Sequence, residues 1–348
     1  MNNFFEDGEI RIGVQSPGPG WVRLDGSSIT LKNKKIVRKL TSIFWSTQTS
    51  NFGTSIIYSV AYGNGVWVAG GEGGRLRTST NNALTWNTQT SNFGSSSINS
   101  VRYGNGVWVA GGNGGALRTS TNDGVTWNTQ TSNFTTSINA VAYANGVWVA
   151  VGGTGVVRTS TNDAVTWNTQ TNGFSGTLYT VAYGDGTWLI SGLSNGALRS
   201  STDSGVTWNA RTAFNTSIYS IAFGNGVWVA GGGAFGVSLI SRSTDGGITW
   251  NTQTSNFGAS VIYSVAYGNG VWVAAGAGGT LRTSTNEAVT WNTQTSNFGG
   301  SNINTVAYEN GVWVAGGGGG ALRTSGTETI TLPNFNLLGK SVYGWMKT

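Results

Sequence analysis

The 348-residue chain contains no cysteine and no histidine. That excludes disulfides, thiolate nucleophiles, imidazole metal ligands and every Ser-His or Cys-His catalytic pair. Acid–base chemistry would have to come from the 13 carboxylates. Glu6, Asp7, Glu9, Asp25 and Glu328 lie near the two ends, and the other eight are spread along the middle. Hydrolysis of a glycosidic bond needs two carboxyl groups within about 5–10 Å of each other. Carboxylates spaced singly through the chain do not promise such a pair, so no catalytic residue, metal or cofactor is expected. Binding chemistry is better represented. Nine residues before each tryptophan of one recurrent series stand Tyr58, Asn99, Asn139, Tyr179, Tyr219, Tyr263 and Asn304. A rigid aromatic plane alternating with an amide at one equivalent position suits contact with sugars or protein. Phe235, in the longest of a set of variable connections, joins them as a candidate exposed anchor. The plainer reading, that Tyr and Asn only fill space, stays open.

The charge distribution narrows the ligand classes. Only 9% of residues are charged, and the formal net charge is +6. All six Lys lie near the ends, whereas residues 41–327 hold ten Arg against eight carboxylates. A nearly neutral middle has no basic groove, so nucleic-acid binding is not expected. No run of 18 apolar residues occurs, so membrane insertion is not expected, and the first residues lack the form of a secretory signal.

The elements that must position these residues come from a repeat. Gly-Asn-Gly-Val-Trp-Val-Ala, or a close variant, places Trp at 67, 108, 148, 188, 228, 272 and 313. A second series falls at 45, 86, 127, 167, 208, 250 and 291, and the two series account for fourteen of the 16 Trp. Within each unit, Asn-Gly between two apolar, β-branched and aromatic runs signals a hairpin with a type I′ turn. Two further short runs follow, and no stretch has a helical apolar period. Four strands per unit, repeated seven times, predict an all-β fold: a seven-bladed β-propeller of four-stranded blades. A β-solenoid is the rival. The strands are called A to D from the axis outward. The strand of Trp45 is a spare D, and the last unit stops after its C strand near Ser325. Pairing these two would close the ring and remove two open edges. The A–B and C–D turns then share one face, and Glu72 is the only carboxylate of the middle on the other. The recurrent Arg77, Arg118, Arg158, Arg199, Arg282 and Arg323 read as blade packing or as pairing with a neighbouring turn, with Arg242 displaced by one residue.

Two resemblances add to this reading. Ser201–Trp208 and Ser243–Trp250 fit S-x-D-x-G-x-T-W, which is similar to the Asp-box of sialidase-like propellers; four more copies carry Asn at the Asp position. In that family the box is a structural turn. The flanks, 1–40 plus 328–348, resemble a phage tail-collar module cut in two. Gly8–Gly13 and Pro19-Gly20-Trp21 through Asp25-Gly26 match its start, and Thr331-Leu332-Pro333-Asn334 through Lys340 matches its later segment, with Asn334 for the usual Asp. Tyr343–Thr348 resembles the ends of phage tail proteins. The resemblance implies an anchoring module joined to other virion tail proteins, interrupted by a propeller at 41–327. The expected function is a tail-fibre or tail-tip adhesin, on the virion and extracellular when acting. It is expected to be a homo-oligomer on the tail and to recognise a host-surface glycan or protein. A structural decoration with no receptor role is the alternative, and a glycan hydrolase a weaker one.

Overall fold

The computed structural model describes residues 10–13, 21–24, 45–193, 196–211, 214–234, 236–325 and 343–347. Phe235, the lysines, apart from Lys347, and most of the collar-like motif residues lie outside them. The chain divides into two compact units, Ile43–Thr327 and the two flanks Met1–Ser42 with Glu328–Thr348. In the flanking unit, Ile10–Gly13 and Trp21–Leu24 both pair antiparallel with Tyr343–Lys347, which forms the middle strand of a three-stranded sheet. The two ends of the chain therefore share one sheet.

The larger unit is a ring of seven four-stranded antiparallel sheets. Its first blade runs Ile57–Gly63, Val66–Gly71, Leu76–Ser79 and Asn87–Gln89. The A–B turn has the expected geometry, with Asn64 at φ 48° and Gly65 at φ 81°. Both central residues of a type I′ turn need positive φ, which Asn tolerates and Gly adopts freely. The same pair of positive angles recurs in all seven blades, with Asp185 replacing Asn in the fourth. Between the B and C strands, five blades carry a single 3-10 turn such as Glu72–Gly74. The fifth blade instead extends its strands to Val227–Ala234 and Val237–Ser243.

The seventh blade consists of Ile303–Glu309, Val312–Gly317, Leu322–Ser325 and, as its outermost strand, Trp45–Gln48. Trp45 stands opposite Ser325 and Gln48 opposite Leu322. Two side chains reinforce the seam: Gln48 Nε2 donates to Thr324 Oγ1 at 2.8 Å, and Ser50 Oγ to the Gly320 carbonyl at 2.6 Å. The predicted ring closure is thus present.

The core is divided among the seams between blades rather than held at one centre. Each apolar cluster joins the B strand of one blade to the A and B strands of the next, as where Val147, Val149 and Val151 meet Leu178, Val181 and Trp188. All seven B-strand tryptophans are buried. Tyr62 packs across the hairpin on Trp67 with ring centroids 5.2 Å apart. Blades approach so closely at Gly63 that a Cβ there would lie 2.1 Å from the Tyr103 ring of the following blade. Glycine at 63 permits that close approach, although Ala144 and Glu309 take the equivalent place in blades three and seven.

The arginine series also belongs to the packing. Six guanidinium groups lie over the ring of a buried or half-buried phenylalanine, from Arg323 on Phe298 at 4.9 Å to Arg199 on Phe174 at 5.4 Å. In the first blade Arg77 Nε and Nη2 also donate to the Asn51 carbonyl, at 3.0 and 2.6 Å.

Candidate functional site: the mouth of the central channel

The innermost strands enclose a channel with a cavity of about 460 Å³. Tyr58, Asn99, Asn139, Tyr179, Tyr219, Tyr263 and Asn304 all line it and are half-buried. Their common placement has a local cause. In every blade the register between A and B slips at this residue, as between Ile57 and Ser59. A β-bulge leaves one residue out of the ladder and re-aims its side chain. Seven bulges in seven equivalent strands set seven side chains around the entrance on the face opposite the A–B turns.

The seven do not act alike. The asparagines are tied to the next blade: Asn99 Nδ2 donates to the Ile138 carbonyl at 3.0 Å, Asn139 to Leu178 at 2.8 Å and Asn304 to Ile57 at 3.1 Å. Asn99 Nδ2 also reaches Asn113 Oδ1 at 3.0 Å. Their amides are thus engaged in holding blades together. The tyrosines of blades four, five and six form a continuous arc. Tyr179 and Tyr219 stack at 5.0 Å with 28° between planes, and Tyr263 meets Tyr219 edge-on at 5.7 Å. Burial, and secondarily the neighbouring Tyr219, raises the pKa of Tyr179 and of Tyr263. Burial, and then the charge of Glu72, does the same for Tyr58. These phenols therefore present a neutral hydroxyl at physiological pH. Phe235, the eighth candidate, lies outside the described residues.

Two channel residues escaped the sequence reading. Arg102 occupies a position that is Ala in the other six blades (Ala61, Ala142, Ala182, Ala222, Ala266 and Ala307). It lines the channel among the innermost strands, and its side chain is exposed to the solvent of the bore. Desolvation lowers its pKa from the usual value, but a guanidinium remains protonated. Its Nη1 donates to the Val101 carbonyl at 2.9 Å. Glu309 ends its A strand, rather than lying in the turn as its sequence position suggests, and also lines the channel. Desolvation raises its pKa. The legible signal in both cases was a single departure from a column otherwise restricted to Ala, or to Gly and Ala.

The arrangement offers stacking planes, phenolic hydroxyls and the positive charge of Arg102. Glu309 is the one carboxylate lining the channel among the described residues, so the channel does not assemble two carboxyl groups. Among the described residues no group of three or more acidic side chains is placed to hold a metal ion, and no helix is long and apolar enough to cross a membrane.

No family model matches the chain, and no curated protein matches it. Solved structures do. YCF48 from Cyanidioschyzon merolae is similar with a TM-score of 0.67 and 14% identity, over 82% of this chain and 99% of that one. A structure described as YCF48 bound to D1 peptide is similar with a TM-score of 0.66 and 15% identity, covering 82% and 97%. The computationally designed Ika8 protein follows at 0.57 and 15% identity, covering 79% and 97%. At such identities the likeness is one of fold alone, and that fold is the seven-bladed β-propeller.

Proposed function

We propose that the chain is a phage tail-fibre or tail-tip adhesin whose propeller binds a host-surface glycan at the channel mouth. The observation that carries this reading is the arc Tyr179–Tyr219–Tyr263. Contiguous aromatic faces with phenolic hydroxyls match the apolar face and hydroxyl rim of a pyranose, and Arg102 supplies a positive charge within the same channel. The flanks, with their resemblance to a split tail-collar module, would dock the chain on other virion proteins. The turns with Ser, Asp or Asn, Thr and Trp belong to the Asp-box type and hold the blades together. As a homo-oligomer on a symmetric tail, weak sites would gain avidity from simultaneous engagement. The protein acts by binding, without hydrolysis.

A second reading takes a peptide as the ligand of the same mouth. It is favoured by the similarity of the ring to a YCF48 structure described as bound to a peptide. Binding of the purified protein to host cells, before and after enzymatic removal of surface glycan, separates the two. The glycan reading expects binding to fall with the glycan. It also expects Tyr219→Ala to weaken binding about tenfold, equivalent to about 1.4 kcal/mol, since this ring contacts both neighbours. Unchanged adsorption by virions whose tail protein lacks residues 41–327 would end the adhesin reading in favour of a structural decoration.

A further inference from the structure

The fifth blade also departs from the other six in the register of its C-strand arginine. In the first blade Arg77 stands opposite Ala69, and its guanidinium covers Phe52 at 5.0 Å. The register-equivalent residue of blade five, opposite Ala230, is Ser241. The arginine there is Arg242, one position further along. A one-residue slip in a strand turns a side chain to the opposite face, and Arg242 accordingly pairs with Glu287 of blade six at 3.4 Å. Phe214, the counterpart of Phe52, has no guanidinium over its ring among the described residues. Trp250 meets it edge-on at 5.3 Å and 70°. Trp250 is also the one tryptophan of its series that is only half-buried; the other six are buried.

The missing side chain leaves space. A cavity of about 590 Å³ is lined by Phe214, Thr216, Ser238, Ser241, Trp250 and Thr252, among others. At its edge Val237 is 54% exposed. Thr216 Oγ1 is buried without a hydrogen-bond partner among the described residues. The molecule itself shows what such a site accepts. In six blades a guanidinium lies 4.9–5.4 Å from the phenylalanine centroid. It needs no carboxylate: in the first blade its N–H groups go to the backbone carbonyls of Asn51 and Leu76. A planar cation on an aromatic face with carbonyl acceptors is a self-sufficient arrangement.

We infer that the cavity of blade five receives an arginine side chain from a polypeptide partner, which takes the place filled internally in the other six blades. The guanidinium would cover Phe214, with Trp250 as a second aromatic wall and hydroxyls at hand. Arginine is favoured over lysine because the group that covers the equivalent ring in the other six blades is a planar guanidinium.

The full-length protein can be titrated with acetyl-Ala-Arg-Ala-amide in ligand-observed saturation-transfer NMR, with the citrulline tripeptide as the uncharged isostere. The arginine peptide should show saturation at its side-chain methylenes at least fivefold above that of the citrulline peptide. Ser241→Arg, which supplies the side chain internally, should abolish this signal and melt at or above the wild-type temperature. If that variant does not fold, Phe214→Leu carries the test and should reduce the signal about fivefold. Tyr219→Ala, at the channel mouth, should leave it unchanged, which separates this site from the proposed glycan site. Equal signals from the two peptides, or an undiminished signal in folded Ser241→Arg, would overturn the inference.

Discussion

Six turns between C and D strands share one hydrogen-bond pattern, and the same Thr hydroxyl serves it with opposite polarity. Where the turn carries Asn, the amide donates to the hydroxyl, as from Asn122 Nδ2 to Thr126 Oγ1 at 2.9 Å. Where it carries Asp, the hydroxyl donates to the carboxylate, as from Thr207 Oγ1 to Asp203 Oδ2 at 2.6 Å. Only the second kind titrates. The hydroxyl bond from Thr207, with backbone and Ser201 donors, lowers the pKa of Asp203 to about 2, and the bond from Thr249 does the same for Asp245. A folded pKa below the unfolded one stabilises the protein above the ordinary carboxylate range, and this contribution is lost as pH falls toward 2. Acid titration followed by tryptophan fluorescence should therefore show stability declining between about pH 4 and pH 2. The double variant Asp203→Asn, Asp245→Asn should decline less over that window and match the wild type at neutral pH. These turns were legible because six copies repeat the spacing of Ser, Asp or Asn, Thr and Trp. Arg102 stood out only as a departure from a column of six alanines, and its place in the channel came from the closed ring rather than from that signal.

The innermost strand of each blade pairs on one edge only, and the opposite edge borders the channel. An unpaired edge leaves N–H groups that need partners, and the ring supplies them from one blade to the next. Val101 N donates to Ser59 Oγ at 3.1 Å, Val141 to Ser100 at 3.1 Å, Ile221 to Thr180 at 3.2 Å and Val265 to Ser220 at 3.1 Å. Val306 donates to Ser264 at 3.0 Å, and Val60 to Thr305 across the seam at 3.2 Å. The seventh bond, from Val181, fails because its acceptor position holds Ala140. Ala140→Ser should restore it and stabilise the protein by about 0.5–1.5 kcal/mol, measured as a higher urea midpoint at unchanged slope. Strand identity and the Asn-Gly turns were readable from alternation and turn chemistry. The bulge at Tyr58 and its six counterparts was not, since an unpaired residue looks like any other in a β-rich run. The bulge is also what brings the candidate tyrosines to the channel mouth, so their meeting there depended on a feature visible only in the register.

Closure is the property of the whole molecule that the repeat arithmetic foretold: a spare outer strand at one end and a blade short of one at the other. The seam rests on a short strand whose anchor is Trp45, only 2% exposed. The Trp45 backbone carbonyl also accepts from Asn297 Nδ2 at 2.6 Å. Trp45→Ala should cost about 3–5 kcal/mol, as for other buried tryptophans. It should also free the two edges it joins, with faster proteolysis at the outer strands of blade seven as the measurable sign. The overall ring could be inferred from counting, whereas the blade-five cavity could not. A one-residue offset of Arg242 is visible in the alignment of repeats, but the vacant volume it leaves is a matter of three-dimensional packing.

The register of the seam has a mechanical consequence. Trp45 lies opposite Ser325 in an antiparallel pair, so the two chains leave the ring from the same end of the seam. Tension applied through residues 44 and 326 would act on the first pair alone, then on the next, as when a strip is peeled. Sliding would instead load all four pairs together. Peeling is the weak direction for paired strands. The sheet in which Ile10–Gly13 and Trp21–Leu24 flank Tyr343–Lys347 ties the two chain ends to one another beyond that point. A pull arriving from outside that sheet is borne by the clasp before it reaches the seam.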